Sequence, residues 1–308
     1  MVMETHPRQR IPKIHSTRPE SRRALACAWL AVALTASACS EKSPTGPSGF
    51  PTPNSTLLYT ALGASDANGV GSSVECPPFV DCPNGMSYVN VATRQLQGQG
   101  FTVTLRNMGI PGAVIGPEFQ NLGNQYNRGI VANFIVQEAP FTLQDSTLVT
   151  IFAGGNEVNT ITTALGAGAG GSDPIGYINT QVQLFGTSFA TLLGIVRARA
   201  PSARIVVLNL PNLGGLPYLA GASLAQRQAA QRISVGMTTT VINPLVSQNV
   251  TVIDMMCDAR YYQRSSLSSD GFHPNDAGYS FMAAEVVRSV TAPYPSPQAS
   301  CGQMTLVP

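Results

Sequence analysis

Charge is scarce in this chain of 308 residues, where Asp, Glu, Lys and Arg together make up 11%. No run of Lys and Arg forms a basic stripe, which argues against nucleic acid as a partner. Histidine is scarcer still: of three, His6 and His15 lie near the N-terminus and only His273 lies beyond. No C-x-x-C pair is present, which counts against the rival reading of a four-cysteine zinc site. No internal repeat is visible. Between Asp173 and Asp254 there is no acidic residue at all.

What is present begins with an export pattern. Arg18, Arg22 and Arg23 precede the uncharged run "ALACAWLAVALTASA" (24–38), which is short of the roughly 20 apolar residues of a membrane span. The adjoining "ASACS" resembles a bacterial lipobox, with Cys39 as the lipidated residue and new N-terminus, although Ala36 stands where leucine is usual. Plain signal-peptidase cleavage, giving a soluble secreted protein, stays open as the alternative. "SRR" at 21–23 leaves the twin-arginine route open as well. Removing residues 1–38 takes away six of the 18 Lys+Arg and two of the 16 Asp+Glu, turning the formal +2 into −2. Residues 39–55 are rich in Ser, Pro and Gly and read as a tether.

Cys27 goes with the signal and Cys39 is the lipidation candidate, leaving Cys76, Cys82, Cys257 and Cys301. An even number in an exported protein points to two disulfides, with three possible connectivities. The favoured one pairs Cys76 with Cys82, closing "CPPFVDC", and Cys257 with Cys301, tying down a tail at 293–308.

The whole chain is 44% hydrophobic, and the remainder (56–292) is expected to form one domain. Apparent strands at 56–62, 101–107, 146–154, 203–210 and 251–255 alternate with helix-like spacing at 86–98, 126–138, 176–199, 222–247 and 275–290. That alternation predicts a three-layer α/β/α domain with a short, mostly parallel sheet. Ligand sites in such sheets form in the loops at the carboxyl ends of strands.

Four of those five loops carry chemistry. After the first strand, "GASDANGVG" (63–71) sets Ser65 in a tight turn that can display a nucleophile. After the second, "NMGIPG" (107–112) offers the bare N–H of Gly109. After the third, "GGNEVN" (154–159) offers the side-chain amide of Asn156, a donor for a developing oxyanion. After the last, "DGFHPNDAGY" (270–279) sets Asp270 three residues before His273, a spacing that lets the carboxylate orient the ring and leave its other nitrogen to take a proton from serine. Taken singly, the first three blocks also read as ordinary turn chemistry and His273 as a structural histidine. Asp276 and Asp258 are the next candidates for the acid.

The four blocks in this order resemble the SGNH (GDSL-like) hydrolase family, whose motifs supply Ser, Gly, Asn and His in turn over about residues 56–290. The resemblance implies a serine esterase acting on carboxylic esters of sugars, lipids or small alcohols. Ser65, His273 and Asp270 would form its triad, and Ser65, Gly109 and Asn156 its oxyanion hole. It implies no metal and no organic cofactor. Two departures stand out: Ala64 replaces the usual acid before the serine, and Glu157 follows Asn156 where aspartate is usual. They sustain an alternative, a non-catalytic surface lipoprotein that binds glycans or other ligands on the same fold. The expected partners are an ester substrate and a membrane reached through the lipid anchor, with the protein itself a monomer.

One competing motif is "GAGAGG" (166–171), which fits G-x-G-x-x-G but lacks the acid about 20 positions on that a dinucleotide site needs. It reads as a flexible loop near the active edge. Segments 159–175 and 211–224 are expected to line the pocket.

Overall fold

Val, Ile and Leu crowd the strand segments, and a strand apolar on both faces must be covered on both. In the computed structural model, which describes residues 49–308, five strands form one wholly parallel sheet in the order β2-β1-β3-β4-β5. They are β1 (Thr56–Gly63), β2 (Thr102–Asn107), β3 (Leu148–Phe152), β4 (Arg204–Leu208) and β5 (Val250–Ile253). The central β3 is buried at every position, whereas β2, at one edge, turns Thr102, Thr104 and Arg106 outward. Polar and charged side chains on an edge discourage pairing with another chain.

The helices are a single turn, α1 (Ser65–Asn68), then α2 (Tyr88–Gly98), α3 (Pro117–Gln125), α4 (Gly155–Gly166), α5 (Pro174–Arg199), α6 (Leu224–Met237) and α7 (Asp276–Thr291). Helices α2 and α7 pack together on one face, and α3, α4, α5 and α6 pack among themselves on the other. The five strand segments read from the sequence are all strands.

Some helical readings need correction. Residues 126–138 are not a helix: α3 ends at Gln125, Asn127 and Gly129 take positive φ, and only Phe134–Glu138 winds into a π-turn. Between them Ile130 and Ala132 are buried with Val131 exposed, a period of two that suits an extended segment. Asn133 there bridges to Val114. The stretch 222–247 is α6 followed by a π-turn and a 3-10 turn around Pro244. The N-cap of α7 is Asn275, whose Oδ1 accepts the Ala277 and Gly278 N–H groups.

The favoured disulfides are both present, Cys76–Cys82 and Cys257–Cys301, which removes the zinc alternative. The tail is held further by Gln231, whose side chain donates to the Val307 carbonyl and accepts from its N–H. Among the tether residues, Phe50 lies against the Arg204 guanidinium, 4.5 Å from ring centroid to Cζ. The expected signal segment, Cys39 and residues 40–48 fall outside the described residues. No helix among the described residues is long and apolar enough to cross a membrane.

Candidate active site

In a sheet of this order the chain reverses direction of build between β1 and β3, and a crevice opens at their carboxyl ends. Ser65 leaves β1 and Asn156 leaves β3, so the topology sets them on the two sides of that crevice. Ser65 starts the one-turn α1, which Gly69 closes in the left-handed conformation at φ 76°. The Ser65 N–H has no acceptor among the described residues.

The last loop reaches across to the serine. Gly71, at φ 89°, permits the approach, since a Cβ there would lie 2.8 Å from Ser268 Cβ and 3.0 Å from His273 Cβ. Tyr279 on α7 donates to the Val70 carbonyl at 2.7 Å and fixes the same contact. His273 Nε2 lies 2.9 Å from Ser65 Oγ, and His273 Nδ1 lies 2.6 Å from Asp270 Oδ2. The carboxylate fixes the tautomer: with the proton on Nδ1, Nε2 is left as the acceptor facing the serine hydroxyl.

Asp270 is itself firmly held. Burial pushes its carboxyl up, but hydrogen bonds from His273, Ser268 and the Phe272 and His273 N–H groups outweigh this and bring it down to about 2. The two substitute acids are engaged elsewhere, Asp258 with Arg260 and Asp276 with the Ser73 N–H.

The oxyanion candidates differ in readiness. Asn156 Nδ2 donates to the Ala113 carbonyl at 2.9 Å, which uses one of its two hydrogens and leaves the other. Gly109 packs on the serine turn so closely that a Cβ would come 2.7 Å from Ala67 Cβ. Its N–H, however, donates to Asn107 Oδ1 at 3.0 Å.

Ser65 and Asn156 line one pocket of about 470 Å³, mouth included, with walls from Phe134, Phe152, Leu213 and Leu216. Residues 211–216 therefore contribute as expected, but 159–175 do not line it. Asn156 already belongs to α4, so "GAGAGG" begins at the far end of a 12-residue helix, roughly 15 Å away at 1.5 Å per residue. It is not a loop at the active edge.

Sequence reasoning passed over two acids, Glu138 and Asp66, and gave a third, Glu157, no role of its own. Glu138, fully buried, accepts the Gly63 N–H at 2.9 Å and so braces the strand end just before the serine. Its only signal was an acid within an apolar stretch. Glu157, 1% exposed, accepts the Ile115 N–H. Asp66 lines the pocket beside Ser65. Burial raises all three carboxyls, Glu157 to about 7 against the opposing pull of its backbone hydrogen bonds.

Glu157 makes stability depend on pH with a definite sign. Unfolded, it loses its proton near 4.5; folded, it keeps it to about 7. Through Glu157 the native state therefore binds more protons across that window, and its contribution to stability falls as pH rises from 4.5 to 7 and is flat above. At 1.36 kcal/mol per unit the loss is on the order of 3 kcal/mol. Denaturant melts at pH 5 and pH 7.5 should show a loss in the wild type that is smaller in Glu157→Gln by most of that amount, with Glu138 and Asp66 still contributing, whereas equal losses would remove Glu157 as a cause.

The model of the GDSL-like lipase/acylhydrolase family matches residues 61–281. Among solved structures, an extracellular lipase from Streptomyces rimosus is similar at 19% identity and a TM-score of 0.54, covering 76% of this chain and 100% of that one. A phospholipase A1 from Streptomyces albidoflavus is similar at 19% identity and a TM-score of 0.52, covering 76% and 99%. A lipase from a goat rumen metagenome is similar at 18% identity and a TM-score of 0.51, covering 77% and 98%. At such identities the likeness is one of fold. No curated protein matches the chain.

Proposed function

The chain belongs to the GDSL-like lipase/acylhydrolase family, a family of ester hydrolases, and from that premise we propose that it hydrolyses carboxylic esters with Ser65 as nucleophile. The observation that carries this reading is the unbroken relay from Ser65 Oγ to His273 Nε2 at 2.9 Å and from His273 Nδ1 to Asp270 at 2.6 Å. It is also what speaks against a purely binding role, since an inert fold has no need of that geometry.

In the first half-reaction Ser65 Oγ attacks the carbonyl carbon while its proton passes to His273 Nε2. The negative charge on the former carbonyl oxygen is met by the Ser65 N–H and the free hydrogen of Asn156 Nδ2. Gly109 joins them once Asn107 releases its N–H. The imidazolium, paired with Asp270, then protonates the departing alkoxide. In the second half, His273 takes a proton from the water that attacks the acyl-serine, then returns it to Ser65 Oγ as the acyl–oxygen bond breaks and the carboxylic acid leaves.

A fluorophosphonate tests this reading, because it phosphonylates an activated serine. Stoichiometric label at Ser65, located by peptide mass spectrometry, is the expected result. An unlabelled protein would return the reading to a binder.

Replacing Asn156 by Ala should lower kcat by roughly 10²- to 10³-fold and change KM little, because its free hydrogen meets charge present only in the transition state. An unchanged kcat with a raised KM would make the amide a substrate-binding group instead.

The two disulfides point to an oxidising, extracytoplasmic setting. Within it, we assign residues 1–38 as the signal and Cys39 as the lipid-bearing residue that holds the enzyme at a membrane.

A further inference from the structure

This inference rests on ester hydrolysis at Ser65 and concerns which esters the site takes. Apart from Ser65 and Asn156, the residues that line the pocket beside the serine are apolar with two exceptions, Asp66 and Tyr261. Neither has a use in the relay. The Asp66 carboxyl has no hydrogen-bond partner in any other described residue, and the Tyr261 hydroxyl has none at all among them. Both groups are positioned against the pocket from well-packed elements, Asp66 from the turn that carries the nucleophile and Tyr261 from a 3-10 turn at Ala259–Tyr262 that is 4% exposed at Tyr261.

A carboxyl in such a wall is expensive for an alkyl substrate. An alkyl chain that displaces its water leaves the acceptor unpaired, at the desolvation cost of a buried charged or polar group. A hydroxyl in the same place satisfies it. Sites built this way discriminate strongly between a hydroxylated substrate and its plain analogue, because the analogue strands the protein's own polar group.

Position also decides which half of the ester meets Asp66. The leaving oxygen has to lie by His273 Nε2 to receive its proton, and the carbonyl oxygen has to lie by Asn156. Asp66 adjoins Ser65, whose Oγ lies 2.9 Å from His273 Nε2, whereas Asn156 enters the same pocket from α4 across the crevice, so Asp66 belongs to the alcohol side.

We propose that Asp66 is a specificity-determining residue that accepts a hydrogen bond from a hydroxyl on the alcohol portion of the substrate, with the Tyr261 hydroxyl beside it. The preferred substrates are then esters of polyols and sugars rather than of simple alkanols. Asp66 holds up nothing in the fold: α1 is one turn, and its closing hydrogen bonds run through backbone atoms that any residue at 66 retains.

Glycerol monoacetate and propyl acetate form a matched pair, with the same acyl group and the same three-carbon alcohol, differing in two hydroxyls. Wild type should favour glycerol monoacetate in kcat/KM by about 10- to 100-fold, the worth of one hydrogen bond to a charged acceptor. Asp66→Leu should collapse that ratio toward unity. Asp66→Asn, which keeps an acceptor, should retain part of it. The ratio is independent of how much of each variant is folded, so a poorly folding variant still reports. Equal rates on the two esters in wild type, or a ratio that survives Asp66→Leu, overturns this proposal while leaving the hydrolase reading intact. Failure to hydrolyse either ester together with an unlabelled Ser65 overturns both.

Discussion

Ser65→Ala should lower kcat by a factor on the order of 10⁵ to 10⁶ and leave the folded protein as stable as before, within about 1 kcal/mol. The first half of that expectation follows from the chemistry, since without Oγ no acyl-enzyme forms and only the residual assistance of the oxyanion donors is left. The second half follows from the packing. The side chain is 7% exposed and its one hydrogen bond runs to His273 Nε2. The turn itself is closed by the backbone, the Val70 N–H donating to the Ser65 carbonyl and the Ala67 N–H to that of Ala64. Alanine keeps both. Turnover measured with a chromogenic acetate, beside a denaturant melt, separates the two halves. A variant with near wild-type kcat would end the assignment of Ser65 as nucleophile, and a variant that is inactive but also unfolded would leave fluorophosphonate labelling of the wild type as the deciding measurement.

Much of this site could be read from the chain before any coordinates, and the reason is architectural. Five Val/Ile/Leu-rich runs bounded by turn residues define a parallel sheet, and a parallel sheet sends every strand's carboxyl end to one edge. Ser65 and Asn156 therefore come together although 91 positions apart in the numbering. His273 was legible for a different reason, being the one histidine beyond residue 15. What was not legible depends on contacts that have no local signature. The start of α4 is masked by Gly154 and Gly155, which read as turn but let the helix begin directly at the strand end. The extended segment at 130–133 carries apolar residues at a spacing that a helix could also use, and the bridge from Asn133 to Val114 decides between the two.

Ala64 shows how a missing motif residue can mislead. Read on the sequence alone, the loss of an acid next to the serine leaves its loop unbraced. In the folded chain Glu138 comes from the π-turn at Phe134–Glu138 and accepts the Gly63 N–H. The bracing function thus sits 75 positions away from the strand end it serves. Glu157 does the matching service on the other side of the crevice, accepting the Ile115 N–H two residues beyond the carbonyl that holds Asn156. Both departures from the family pattern are accounted for by hydrogen bonds within the fold. Neither touches the relay from serine to histidine to aspartate.

Asp270→Asn should cost roughly 10⁴ in kcat with little change in KM, the scale seen when a triad loses its orienting acid. The substitution is nearly isosteric, and the asparagine oxygen can still accept from Ser268, Phe272 and His273 as Asp270 Oδ1 does at 2.7, 2.8 and 3.0 Å. The loop therefore keeps its shape. The amide nitrogen, however, then faces His273 Nδ1 as a donor, so Nδ1 must become the acceptor and the ring proton moves to Nε2. That nitrogen now points a hydrogen at Ser65 Oγ and can no longer take one. The pH profile separates this account from a loss of charge alone. With its carboxyl held down to about 2, Asp270 stays ionised wherever the enzyme is assayed, so its charge is constant across the wild-type profile. In Asp270→Asn, kcat should stay low across the whole plateau, since the wrong tautomer is neutral and no pH within that range corrects it. Near-full activity in this variant would instead place the orienting acid elsewhere. With Asp258 and Asp276 bound to Arg260 and the Ser73 N–H, a double variant that also removes Asp66 would then be the next measurement to make.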